Sequence, residues 1–256
     1  MSAPKIFTSQ YYARMRALEA DSWWNAAMRD IAALLLRSAS LPAQGTLLDL
    51  GAGSGQTIGW FVAAHPSWRA VGLDLAGDGL RAARAAGIRN VTRATALALP
   101  HSDQSADLVI TLDLLQHLPL DGGDLAALQE MHRVLKPAGY LLLRTNAQAF
   151  PRTADDRRYN FHKYEPQELE SKLCRVGFTV LRLSRLNALL GLAEIPREWQ
   201  VARSGGEGYH GILAQAAPER PWPAALKRAW LRLEGRAVRA GWRLPFGRTI
   251  VALCQA

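Results

Sequence analysis

Cysteine is nearly absent from this chain: there are two in 256 residues, Cys174 and Cys254. Two distant thiols make no disulfide framework, and they lack zinc-site spacing. The expectation is a pair of reduced, buried thiols in a cytoplasmic protein. Histidine is also sparse, with six residues and no i, i+4 pair to clasp a metal on a helix, so no metal is expected. No run approaches the ~20 apolar residues of a membrane span. The opening residues, MSAPKIF, lack the apolar core that would mark a signal peptide. Acidic charge is short too, with 22 Asp/Glu against 31 Lys/Arg. Residues 1–149 are nearly balanced, with 13 basic and 12 acidic side chains, whereas residues 150–256 carry 18 and 10. A nucleic-acid binder that is basic throughout would not divide its charge this way.

What is present is an alternation of apolar runs and helical periods over residues 46–147, the signature of a parallel sheet wound on both faces. Its most informative piece is Leu47-Leu48-Asp49-Leu50-Gly51-Ala52-Gly53-Ser54-Gly55. The apolar run reads as a buried strand and the segment from Gln56 to Ala64 as a helix. The three alternate glycines between them permit a sharp turn and a close-lying ligand. A dinucleotide turn needs G-x-G-x-x-G, with pyrophosphate on the helix N-terminus. Here the third glycine comes one residue early, and the Asp49 carboxylate would repel phosphate and attract an ammonium group. Both departures disfavour a dehydrogenase and favour a ligand with an amino-acid end.

The pattern Asp49-x-Gly51-x-Gly53-x-Gly55 resembles the first motif of class I S-adenosylmethionine-dependent methyltransferases. Four further segments follow in the family's order. These are Arg69 to Leu75, ending in Asp74; Val91 to Ala96, followed by Leu97-Ala98-Leu99-Pro100; Ala106 to Leu118; and Glu130 to Leu143. The resemblance implies a doubly wound, seven-stranded Rossmann-like α/β sheet, parallel except for a last strand, Thr249 to Cys254, inserted antiparallel beside the fifth. It implies that S-adenosylmethionine is the cofactor. Asp49, Gly51, Ala52, Gly53 and Gly55 would hold the methionine end, and Asp74, with Leu75, the ribose. Thr95, Ala96 and Leu97 would border adenine. Thr95 stands where the family usually has Asp, so recognition there is expected to lean on apolar walls and on the backbone of Ala96 and Leu97. Ala138 replaces the first glycine of the family's Pro-Gly-Gly turn. Asp113, beside Leu112, reads as a contact to the amino-acid end, as a group orienting the substrate, or as a plain strand-end acid.

Methyl transfer needs alignment above all, and a base only for a weak nucleophile. His117, at the end of the fourth strand segment, is the first candidate base; its alternative is a structural histidine bonded to a neighbouring loop. His162 and Tyr164, at the end of a loop predicted over 148–164, come next. An exposed loop pair is the competing reading. Tyr209 and His210 are weaker candidates to face substrate.

Three parts are expected. Residues 1–45 form a helical cap, with Ser22 or Asp21 starting a helix through Trp23, Trp24, Met28, Ile31, Leu34 and Leu35. The segment Tyr12, Glu19, Trp23-Trp24 and Arg29 resembles the N-terminal segment of a bacterial methyltransferase subgroup. Residues 46–186 plus 249–256 form the core, with a sixth strand over Phe178 to Leu183. Residues 187–248 form a helical insertion or lid, in which Ser204 to Gly208 is a flexible turn and Pro223 opens a helix to about Ala240. On that helix Leu226, Trp230, Leu233 and Ala237 form one stripe; Arg228, Arg232, Arg236, Arg239 and Arg243 fall on another face. The arginines read first as a solvated face, then as a contact with anionic membrane or a lipid-linked phosphate, and last as a nucleic-acid site. The acceptor is read as a small or lipid-linked molecule, methylated on oxygen, carbon or nitrogen. An RNA methyltransferase and a non-catalytic cofactor-binding module are the rivals. Nothing in the sequence sets the oligomeric state.

Overall fold

The computed structural model describes residues 22–148, 162–192 and 224–256. Helix α1 (Trp23–Leu36) begins at Ser22, whose hydroxyl accepts the Asn25 N–H at 3.2 Å. The strands and helices then alternate as β1 (Thr46–Leu50), α2 (Gln56–Ala64), β2 (Arg69–Asp74), α3 (Gly77–Ala85), β3 (Val91–Arg93) and β4 (Ala106–Leu112). A 3₁₀ turn (Leu115–His117), α4 (Gly123–Val134) and β5 (Leu135–Asn146) follow. The last elements are α5 (Pro166–Val176), β6 (Thr179–Leu186), α6 (Ala224–Arg239) and β7 (Thr249–Gln255).

The strands lie in the order β3-β2-β1-β4-β5-β7-β6. β7 is antiparallel to both of its neighbours, and the other pairs are parallel. β1 lies inside the sheet between β2 and β4, and Leu47, Leu48 and Leu50 are almost completely shielded because helices cover both faces. One apolar cluster joins α1, α2, α3 and α6 to the first face. The second joins α4 and α5 to the other. The N-terminal helix is therefore part of the main core: Ala27, Met28, Ile31, Ala32, Leu35 and Leu36 are all buried.

Some boundaries differ from the sequence expectation. β3 stops at Arg93 rather than Ala96, because the chain turns at Thr95, whose Oγ1 accepts the Leu97 N–H at 3.2 Å. β6 runs on to Leu186, since β7 pairs with it along its whole length. Cys254 is buried as expected, but Cys174 is exposed, on the outer side of α5. The predicted turn at Ser204 to Gly208, the N-terminal Tyr12 and Glu19, Tyr209, His210, Pro223 and most of the loop over 148–164 lie outside the described residues. No helix among the described residues is long and apolar enough to cross a membrane.

Candidate cofactor site

The carboxyl ends of β1 and β2 lie side by side, with Asp49 opposite Gly72 in the register. From there the backbone swings through Gly51, Gly53 and Gly55 at φ of 79°, 50° and 79°, a region that L side chains avoid. Two anchors hold the turn down. The Gly51 and Ala52 N–H groups donate to the Leu73 carbonyl at 2.8 and 3.1 Å, and the Gly53 N–H donates to Asp74 Oδ2 at 2.8 Å. Asp74 also takes the Ala76 N–H on Oδ1 at 2.7 Å. Burial raises its pKa, and these backbone donors offset part of the rise.

Asp49 is in a different condition. It is 2% exposed, and its Oδ2 has no hydrogen-bond partner. Burial first, and the neighbouring Asp74 charge second, push its carboxyl up to about 8. A buried acid of this kind lacks a cation. An ammonium group entering the crevice would supply it, whereas a pyrophosphate would add to the repulsion.

Around this pair the structure gathers the rest of the predicted cofactor residues along the same sheet edge. Thr95, Ala96 and Leu97 form the turn after β3, but the Leu97 N–H is already spent on Thr95 Oγ1. Ala96 and Leu97 pack partly against the second core cluster. This turn leads into a clamp that sequence reasoning missed. Arg133 on α4 donates to the carbonyls of Leu99 (3.2 Å) and His101 (2.9 Å). Glu130 accepts the Leu99 N–H at 2.7 Å and pairs with the Arg133 guanidinium, also at 2.7 Å. Only the i, i+3 spacing of Glu130 and Arg133 hinted at it.

Leu112 ends β4, and Asp113 follows it. Asp113 takes φ 61°, and its carboxylate is held by Arg144 on the adjacent strand, with Nε 3.1 Å from each oxygen and Nη2 in contact as well. The strand-end acid is thus already neutralised by a partner that sequence reasoning missed. His117 closes the 3₁₀ turn. Burial pushes its imidazole down to about 4, against an opposing pull from Asp113, so the ring is neutral near pH 7.

His162 and Tyr164 stand apart from this edge in their contacts. The His162 N–H donates to the Gln116 carbonyl at 3.2 Å, which ties its backbone to the His117 turn. Its ring instead stacks on Tyr164 with centroids 4.0 Å apart, and its Nε2 lies 3.3 Å from Glu168. Tyr164 is fully buried and donates its hydroxyl to Asp124 at 3.0 Å. Burial and then Asp124 raise the phenol far above its ordinary value, so it holds its proton. Lys172 reaches the same Asp124 oxygen at 2.6 Å. Burial alone would raise the Asp124 carboxyl, but Lys172 and Tyr164 outweigh it and keep it below the usual range. Tyr164 is therefore built into the join of α4 and α5, not presented as a base. Among the described residues no group of three His, Cys, Asp or Glu could hold a metal ion.

Comparison with known proteins agrees with this geometry. A family model described as a methyltransferase domain matches residues 48–143. Residues 48–143, from β1 into β5, are thus similar to a methyltransferase domain, and the class I enzymes they resemble use S-adenosylmethionine as cofactor. Over 154 residues the chain is 32% identical to malonyl-[acyl-carrier protein] O-methyltransferase of Methylococcus capsulatus, covering 56% of this chain and 54% of that protein. It is 31% identical over 104 residues to tRNA (carboxymethyluridine(34)-5-O)-methyltransferase of Arabidopsis thaliana, covering 41% and 24%. The chain thus spans about half or less of these curated relatives. Among solved structures, a putative methyltransferase complexed with the Trm112 activator of Haloferax volcanii superposes with TM-score 0.64 at 19% identity, covering 100% and 99% of the two chains. Phosphoethanolamine N-methyltransferase 2 of Haemonchus contortus, crystallised with S-adenosyl-L-methionine, gives 0.62 at 16% identity over 98% and 58%. The methyltransferase domain accounts for the glycine turn and the sheet edge but leaves the acceptor open.

Proposed function

We propose that this chain moves the methyl group of S-adenosylmethionine to a small-molecule or lipid-linked acceptor. The observation that carries the reading is Asp49, a buried carboxylate without a partner beside a glycine turn. In this reading Asp49 neutralises the ammonium of the methionine end. The turn from Gly51 through Ala52 and Gly53 to Gly55 leaves room for it. Asp74, next to Leu75, receives the ribose hydroxyls on carboxylate oxygens already fixed by backbone donors. Thr95 to Leu97 wall the adenine, and Arg133 fixes the Leu99 to His101 stretch that follows them. The sulfonium supplies an already activated methyl. The chain's own task is to align the acceptor, which is worth roughly 7–11 kcal/mol when the fit is good. A cytoplasmic setting belongs to the same proposal, supported by two free thiols.

Titration with S-adenosylhomocysteine tests the site directly. Heat and thermal protection are expected; neither would remove the reading. Binding without turnover on any acceptor would leave a non-catalytic module. An RNA acceptor is the second reading, favoured by the Arabidopsis thaliana relative. It requires RNA affinity that falls steeply with salt.

His117 carries a specific prediction. If it takes the acceptor proton, kcat/KM stays level above about pH 5 and falls below it, with a midpoint near 4. His117→Gln then lowers kcat by about 10²–10⁴. A wild-type profile rising through pH 6–7 would assign the proton to another group.

A further inference from the structure

Helix α6 has three sectors. Leu231, Glu234, Gly235 and Val238 are buried against the body. Glu234 accepts the N–H of Asn187 at 2.6 Å and of Ala188 at 3.1 Å, and Gly235 lies so close to α1 that a Cβ would sit 2.9 Å from Ile31. The second sector is basic. Arg228 and Arg232 both reach Asp30 at 2.7 Å, while Arg236 and Arg239 remain exposed with no acidic partner among the described residues. The third is the stripe of Leu226, Trp230 and Leu233, which faces outward at 52%, 39% and 52% exposure. Just beyond the helix Trp242 and Phe246 are exposed as well, at 69% and 61%. A helix that already buries one face has no structural need of a second apolar one, and exposed apolar side chains at i, i+4 and i+7 on one face mark a contact.

We propose that this outer face of α6, continued by Trp242 and Phe246, docks on the anionic surface of a lipid bilayer. Charge selects the occupant. Residues 224–248 hold seven Lys/Arg and one acid, the buried Glu234; Asp30 pairs with Arg228 and Arg232 and Glu170 with Arg243, and the face with these partners stays net basic. A second copy would bring two basic sectors together. Nucleic acid would satisfy the arginines but leave Leu226 and Leu233 in contact with phosphate and sugar. A bilayer satisfies both sectors: apolar side chains enter the headgroup boundary and the flanking arginines reach its phosphates. Trp230 suits this setting, because its indole N–H is already donated inward to Glu234 at 2.7 Å and only ring carbon faces out. Docking also bears on the cofactor crevice. α6 grips α1, and Arg29 of α1 lies 3.5 Å from Gln56 at the end of the glycine turn. The proposal stands apart from the acceptor's identity, since membrane binding is read without turnover.

The test is co-sedimentation of the full chain with phosphatidylcholine vesicles, with and without phosphatidylglycerol. Binding is expected to the anionic vesicles, weakening with salt, and about tenfold less to the neutral ones. Leu226→Ser with Leu233→Ser is expected to lower binding about tenfold. Arg236→Glu with Arg239→Glu should abolish the anionic preference. Unchanged thermal melting and unchanged S-adenosylhomocysteine binding establish that both variants are folded. Equal binding to the two vesicle types, or equal binding by wild type and the leucine variant, would overturn the proposal. So would vesicles left unbound while the chain forms a dimer that the leucine variant abolishes, or binds RNA that the arginine variant releases.

Discussion

Asp49 and Asp124 are shielded from water almost equally, at 2% and 4% exposure, yet their surroundings are opposite. Asp124 receives Tyr164, Lys172 and the Leu125 N–H, and its carboxylate is held ionised. Asp49 keeps an oxygen without a donor and is driven toward the protonated form. Exposure is nearly the same; the company differs. The α4–α5 join has its polar groups paired and acts as structure. The end of β1 carries a deficit that a proton or an incoming cation removes.

The largest test of that contrast is Asp124→Ala. It strands the Tyr164 hydroxyl in the core and removes one of the two acids at Lys172, so about 2–4 kcal/mol of stability is expected to go, read by chemical denaturation. Cofactor affinity in the variant that remains folded should be unchanged. Next is Asp74→Ala, with a loss of about 1–3 kcal/mol in calorimetric S-adenosylhomocysteine affinity. Unaltered affinity would remove Asp74 from the ribose.

Asp49→Asn separates the two acids by pH. The folded Asp49 carboxyl titrates near 8 instead of the ordinary 3.8, so the folded chain keeps a proton that the unfolded chain loses. Its contribution to stability is full below the ordinary value and declines as pH rises through about 8. The Asn variant does not ionise. Its ligand-free melting temperature should exceed that of wild type at pH 8.5, by the equivalent of about 1–2 kcal/mol, while cofactor affinity falls. Melting curves across pH read the first effect and calorimetry the second. The smallest effect is Tyr164→Phe, about 1 kcal/mol of stability, with kcat unaffected. A kcat that collapsed without loss of fold would return Tyr164 to the chemistry.

Much of this contrast was written locally. Asp49, the alternate glycines and Asp74 are close in sequence to the turns they shape, and the sheet order followed from the segment order of the resembled family. The pairings that decide roles were not local. Arg144 meets Asp113, and Tyr164 meets Asp124, across more than thirty residues, so no spacing rule pointed to them. Helical periodicity separated the arginines of α6 from its apolar stripe but did not indicate which face turns inward. The inward face contains Glu234 and Gly235, which an apolar count overlooks. Glu234 is accepted there because three N–H groups meet it, and Gly235 because α1 approaches so closely.

The position of β7 has a consequence for biosynthesis. Its segment follows that of β6 in the chain, yet it lies between β5 and β6 and supplies the ladder that joins them. Until that segment leaves the ribosome, β3, β2, β1 and β4 have their neighbours, β5 lacks one and β6 has none. A nascent chain can therefore shape the glycine turn early, as N-terminal parts fold first during translation. It exposes the open edges of β5 and β6, a known route to aggregation, until β7 pairs with both.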